Sequence, residues 1–272
     1  MTRRAAAMGL FALVIAEVLA VSVGWAATGM SATAAVDSFI VPNAVIGLCC
    51  GLCGGLIAGY RPDNRLGWLL LGAGVCQTAT AAVTPWLFQA LATGAPARGW
   101  ATAYSAAWPW SVALFIPLAL LSFPDARPPR LIVPVVVANA VLQVLVFSSD
   151  PDPLGTVAEL DPARRQVTSY LALGLPGGVD VASQVVLSLT YLAALVVLVV
   201  RYRRGTEQVR RQLLWLLLAT AVAVALVAVT RLGGSVEDNG FPVILFTVVA
   251  LVPIAMTIAV LRHRLLDIRL LW

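Results

Sequence analysis

The chain has 272 residues, 60% of them hydrophobic and 11% charged, with a mean hydropathy of +0.92. Soluble domains carry about 25% charged residues, so a water-soluble globule is excluded, and with it a disordered chain and a nucleic-acid-binding module. The formal net charge is +5, all 18 basic residues are Arg, and the single His, His263, argues against histidine-based catalysis or metal binding.

A helix needs about 20 mostly apolar residues to cross the hydrocarbon core of a membrane. Charge-free runs of that length predict eight spanning helices, at roughly 6–28, 39–60, 66–88, 105–123, 131–148, 180–200, 212–231 and 241–261. The expected fold is therefore all-α: a polytopic membrane bundle over 1–261 and a cytoplasmic tail over 262–272. Arg3 and Arg4 precede an apolar run longer than the 7–15 residues usual for a signal-peptide core, which favours an uncleaved first helix over a cleaved leader. With the N-terminus cytoplasmic, 14 of the 18 Arg fall on the inner side, and only Arg98, Arg164, Arg165 and Arg231 fall outside. The positive-inside rule then places both termini in the cytoplasm of a plasma-membrane protein. A cytoplasmic Arg rim also suits anionic lipid headgroups.

In the first span, Glu17 lies mid-helix. An intramembrane carboxyl is costly and is expected to face the bundle and find a partner, drawn from Asn43, Gln77, Asn139, Gln143, Gln184 or Tyr191. It is either a polar ligand or proton site, or a packing group hydrogen-bonded between helices. In the second span, Gly47, Gly51, Gly55 and Gly59 recur every fourth residue. Small residues at this spacing let another helix approach closely, either within the chain or across a homodimer seam. Cys49, Cys50 and Cys53 share that helix, and Cys76 lies at matching depth in the third span. Four thiols there could hold a soft metal or form a redox pair. Cys also behaves as a small buried hydrophobe, and without His or acidic neighbours in the sequence no metal or cofactor is expected.

The outer ends of the third and fourth spans carry Trp86, Phe88, Trp100, Tyr104, Trp108 and Trp110. They read as an interfacial aromatic belt or as the wall of a pocket open to the outside. Pro85, Pro109, Pro117, Pro134 and Pro253 imply kinks or local unwinding. In the fifth span, Asn139 and Gln143 are four apart and share a face. The outer connection 149–179 opens with Asp-Pro turns and Gly155, and is either a solvated loop or the cap of an outer cavity. The inner connection RYRRGTEQVRR at 201–211 places Gly205 at the end of one helix. Thr206 and Glu207 follow as cap and first turn of the next.

Several of these segments resemble the membrane input region of actinobacterial-type sensor histidine kinases. RPDNRLGWLLLGAG at 61–74 is similar to that family's N-x-x-G-W-L-L helix entry, and SFPDARPPR at 122–130 to its F-P-D-G-x-x-P turn, with Ala126 where Gly is usual. DPLG at 152–155 resembles N-P-L-G. RYRRGTEQVRRQLLWLLLA at 201–219 resembles R-Y-R-R-x-x-x-x-x-R-x-Q-L-x-W-L, and PIAMTIAVLRHRLLDIRLL at 253–271 resembles P-x-x-x-x-x-A-V-L-R-Y-R-L-x-D-I-D. In that family the membrane region leads into a dimerising domain bearing a phosphoacceptor His and then an ATP-binding domain. Here His263 lacks the acidic neighbour of a phosphoacceptor box and no nucleotide-binding box appears, so the resemblance implies signal input without kinase chemistry in this chain. The tail 262–272 would lead to downstream segments that this chain lacks, as in a truncated kinase, a sensor without output, or a partner protein of one.

The expected function is an integral membrane input module that couples an outer or in-membrane stimulus to its cytoplasmic helix ends. Glu17, Asn43, Asn139, Gln143, Trp86 and Trp108 are the expected sensing residues. Arg201, Arg203, Arg204, Arg210, Arg211, Arg262 and Arg264 are the expected coupling residues. The expected partners are the lipid bilayer, an unknown small ligand, a second copy, and a cytoplasmic kinase or response-regulator pathway, with no nucleic acid. The rival is a small-solute transporter or channel, although no half-to-half repeat is evident. An enzyme is third, since an inner cluster of Asp63, Asp125 and Asp267 is better read as ion-paired with the neighbouring Arg.

Overall fold

The computed structural model describes residues 2–124, 127–214, 216–218 and 250–265, with 261–265 by their backbone alone. Regular secondary structure among the described residues is entirely helical. Helix α1 (Arg3–Thr28) is followed by the short α2 (Ala32–Asp37), α3 (Ile40–Tyr60) and α4 (Arg65–Thr93). Next come α5 (Arg98–Trp110), a π-helical turn (Ser111–Phe115) and α6 (Ile116–Ser122), which together make one continuous rod. Helices α7 (Ile132–Ser148) and α8 (Val179–Arg204), helical backbone at 207–214 and 216–218, and α9 (Leu251–Leu265) complete the described chain.

Five of these, namely α1, α3, α4, the α5–α6 rod and α8, are long and apolar enough to cross a membrane. At 1.5 Å per residue the shortest, α3 with 21 residues, measures about 31 Å, close to the hydrocarbon thickness. Helix α7 is apolar but has only 17 residues. Of the eight expected spans, 212–231 lies mostly outside the described residues and 241–261 in part. The described chain thus supports a membrane-type helical bundle with five qualifying spans, two shorter apolar helices being α7 and the start of α9.

The hub is the α3–α4 hairpin. Its turn is capped by Asn64, whose Oδ1 accepts the Leu66 N–H at 2.8 Å, and Trp68 Nε1 donates across the turn to the Pro62 carbonyl at 2.8 Å. Helix α1 packs on α4 and α3, α5 on α4 and α7, α6 on α4 and α8, and α9 on α3. At the Arg-rich end a core cluster gathers Ile57, Leu66, Phe123, Leu213 and Met256. At the opposite end a second cluster joins Ile40, Leu87 and Leu91 to Leu154, Val157 and Leu160 of the 149–178 connection.

The glycine stripe of α3 does not serve one seam. A Cβ on Gly47 would meet Thr78 of α4 at 2.6 Å, whereas Gly51 faces Val14 and Gly55 faces Phe11, both of α1. Gly59 has open space around it. The closest backbone approach belongs to glycines outside the stripe: a Cβ on Gly54 would sit 2.5 Å from the Leu71 N, and one on Gly74 2.7 Å from the Gly51 N.

Candidate functional site

The 149–178 connection is a built cap. Arg165 pairs with Asp152 at 3.2 Å and donates to the Gly155 carbonyl at 3.0 Å. Asp161 Oδ1 accepts the Ala163 N–H at 2.9 Å. The cap is tied to the helices below: Thr156 Oγ1 donates to the Asp37 carbonyl at 2.6 Å, Ser31 to the Glu159 carboxylate, and Ser169 Oγ to Thr102 Oγ1 at 3.1 Å. Arg98 lies 4.4 Å over the Tyr170 ring. Leu154 and Val157 are fully buried beneath it, so the segment follows the capping alternative of its sequence rather than the solvated one.

Under the cap lies a cavity of about 390 Å³. Its aromatic wall is Phe39, Tyr104, Trp108 and Phe147, and its polar lining includes Asn43, Ser105, Asp150 and Thr156. Trp108 and Phe147 meet edge-to-face at 4.7 Å between centroids, joining α5 to α7 at the wall, a favoured aromatic geometry. Phe39 closes the N-terminus of α3 in the left-handed region, with φ 60°, where a bulky side chain is strained. Its carbonyl accepts the Asn43 N–H at 3.1 Å. The Asn43 side chain is 5% exposed, lines the cavity and makes no hydrogen bond to any described residue.

Of the six sensing residues expected from sequence, the structure brings Asn43 and Trp108 together at this cavity. Trp86 stands apart, stacked on Trp100 at 6.2 Å. Glu17 is half-buried between α1 and α4, and its partner is none of the six side chains expected: the Thr78 hydroxyl donates to it at 2.5 Å. Gln143 Nε2 donates to Ser183 Oγ at 3.3 Å, and Asn139, 4% exposed, leaves both amide atoms without a partner among the described residues. Tyr191, expected near Glu17, instead donates to the Val112 carbonyl at 2.8 Å. Phe147, Ser105 and Thr156 carried no signal in the sequence. Phe39 sat in an apolar run, and Asp150 and Asp152 read only as turn residues.

The four cysteines are free thiols, Cys50 and Cys53 buried, and the described residues contain no group of three or more His, Cys, Asp or Glu placed to hold a metal. At the Arg-rich end, Asp63 is ion-paired with Arg3, while Asp125 and Asp267 lie outside the described residues. Arg201 donates from Nη1 to the Phe123 carbonyl at 2.5 Å and from Nη2 to the Arg127 carbonyl at 3.4 Å. Arg210 donates to the Tyr202 and Arg203 carbonyls, both at 3.0 Å, closing the C-terminus of α8. Arg211 pairs with Glu207 one turn away, and Arg203 and Arg204 are exposed. The side chains of Arg262 and Arg264 lie outside the described residues. Comparison with protein-family profiles, curated proteins and solved structures gives no match.

Proposed function

We propose that this chain is the membrane-embedded input part of a signalling system of the sensor histidine kinase type. In this reading it crosses the plasma membrane eight times with both termini cytoplasmic, its 149–178 cap faces outward, and it carries no kinase chemistry of its own. The capped cavity receives a small ligand. The Arg-rich helix ends pass the resulting shift to a cytoplasmic kinase or response-regulator pathway, with a second copy of the chain as the natural partner in the membrane.

One observation carries this reading. The two rods that wall the cavity, α5–α6 and α7, run to the opposite end of the bundle and join through the 123–130 connection, which Arg201 of α8 holds by its carbonyls. A ligand resting in the cavity against Trp108 of α5 and Phe147 of α7 would act on both rods. Their relative movement reaches α8 through the guanidinium, and from α8 the 205–211 connection through Arg210. A ligand shifts such an equilibrium only through its differential affinity for two packings, and a cavity built between helices supplies that difference.

Occupancy can be imitated without knowing the ligand. Ser105→Trp places a large side chain in the cavity. With Cys49, Cys50, Cys53 and Cys76 replaced by Ala, spin labels at Arg127→Cys and Arg204→Cys report the opposite end of the bundle. The expected result is a displaced 127–204 distance distribution in the filled variant. Superimposable distributions in a filled variant that keeps the unfilled protein's melting temperature would overturn the reading.

A further inference from the structure

The cavity's chemistry narrows what it takes. Its wall presents four aromatic rings, Phe39, Tyr104, Trp108 and Phe147, around about 390 Å³, within the range of small-molecule sites. The Tyr104 hydroxyl and the Trp108 Nε1 make no hydrogen bond to a described residue, and neither does the Asn43 amide, 5% exposed. Three polar groups with open valence thus line a chamber walled mainly by aromatic rings, beside Ser105, Asp150 and Thr156.

The charge at the mouth has one sign. Asp152 is neutralised by Arg165, whose guanidinium is further occupied by the Gly155 and Val157 carbonyls. Asp150 is exposed. Its Oδ1 accepts the Asp152 N–H at 2.9 Å, and it has no ion-pair partner among the described residues. Of the neighbouring cations, Arg164 leans on Asp161 and the Ala92 carbonyl, and Arg98 covers Tyr170. Among the described residues the residual field at the opening is negative.

We propose that the cavity binds an organic cation, an amine or quaternary ammonium carrying an apolar body. The inference rests on the cavity being the input site. Aromatic faces attract such a cation through their quadrupoles, most strongly when water is excluded. Asp150 supplies the counter-charge at the mouth, and the Asn43 amide offers the apolar body's polar substituent a hydrogen bond. An anionic ligand of the same size meets Asp150 with like charge.

The test uses the full chain in nanodiscs, with empty nanodiscs correcting for partition into lipid. The probes are benzoylcholine and its neutral isostere 3,3-dimethylbutyl benzoate, which differ only in a carbon replacing the ammonium nitrogen. Tryptophan fluorescence is the readout. Benzoylcholine is expected to bind about tenfold more tightly than the isostere. Asp150→Asn, an exposed change, is expected to remove most of that preference while leaving the isostere's affinity unchanged, and Trp108→Phe to weaken the cation more than the isostere. Equal affinity of the two probes, an undiminished preference in Asp150→Asn, or no binding of benzoylcholine would overturn the inference. The spin-label distances in Ser105→Trp do not depend on any of these outcomes, so the input reading stands or falls separately.

Discussion

Gly54 and Gly59 lie five residues apart on α3 and face opposite consequences. A Cβ at Gly54 would collide with the backbone of Leu71, at 2.5 Å from its N, and with the Gly67 carbonyl at 2.7 Å. Backbone cannot rotate away as a side chain can, so Gly54→Ala forces α3 and α4 apart at the hub, at about 1–3 kcal/mol for overpacking. At Gly59, where nothing lies within 4 Å, Ala gains about 0.5–1 kcal/mol of helix propensity. Melting in detergent is expected to fall for Gly54→Ala and hold or rise for Gly59→Ala; equal shifts would refute the assignment of the seam. Two threonines of α4 make a similar contrast. Thr78 and Thr84 are both fully buried and both place the hydroxyl within reach of the carbonyl four residues earlier, but Thr78 has one proton and a second acceptor in Glu17, to which it donates across the helix pair. Thr78→Val is therefore expected to cost roughly 1–2 kcal/mol more than Thr84→Val in reversible unfolding, within the range for interhelical hydrogen bonds in membranes. Glu17 was legible as a residue needing a partner because a carboxyl in an apolar run is conspicuous. Thr78 was not, because a helical Thr satisfies its own hydroxyl and leaves no trace in the sequence.

The α5–α6 rod shows what proline does in a helix inside a membrane-type bundle. The Ile116 N–H bonds to Ser111 O, five residues back, which sets the π register. Continuing that register would require an N–H at position 117, where Pro117 has none. The Val112 carbonyl is thus left over, and Tyr191 reaches from α8 to donate to it at 2.8 Å. The turn and the tyrosine form one device, consistent with π-turns gathering at functional sites. Tyr191→Phe leaves the carbonyl without its donor and is expected to lower stability by about 1–2 kcal/mol. Adding Pro117→Ala supplies the missing N–H and is expected to recover part of that loss in a double-mutant cycle. Additive effects of the two changes would break the link. The prolines were legible as sites of interruption, but their outcomes depend on position. Pro134 and Pro253 fall in the first turn of α7 and α9, where a missing N–H is harmless, and Pro85 sits inside an unbroken α4. Among the described residues the backbone changes register in the turn between Pro109 and Pro117, and the compensating hydroxyl comes from a residue 79 positions away from the carbonyl it serves, which no local pattern announces.

At the scale of the molecule, the described helices were largely readable because a bilayer imposes length and apolarity on each span independently, although five rather than eight qualify as spans among the described residues. Ile40–Tyr60 and Ile132–Ser148 fall within about a residue of the expected spans, whereas Arg65–Thr93 runs five residues past the expected 66–88 and the α5–α6 rod begins at Arg98, seven residues before the expected 105–123. The cavity was not readable, because it is assembled from the start of α3, the middle of α5, the end of α7 and a loop whose apolar residues Leu154, Val157 and Leu160 are spaced like ordinary turn punctuation. The same non-locality governs coupling. Arg201 belongs to α8, yet it holds the connection that joins the two rods walling the cavity. A guanidinium spans two carbonyls because its donors lie in a rigid planar fork, which the point charge of Lys cannot reproduce. Arg201→Lys therefore keeps the charge of the helix end and removes the simultaneous grip on Phe123 and Arg127. Filling the cavity with Ser105→Trp should then still displace α5–α6 against α7 while α8 no longer follows. The expected measurement is a 127–204 distance distribution that responds to Ser105→Trp when Arg201 is present and stops responding once Arg201→Lys is introduced, the two backgrounds melting within a few degrees of each other. A response of equal size in both backgrounds would show that the shift travels through helix packing alone, with Arg201 serving only to cap the turn.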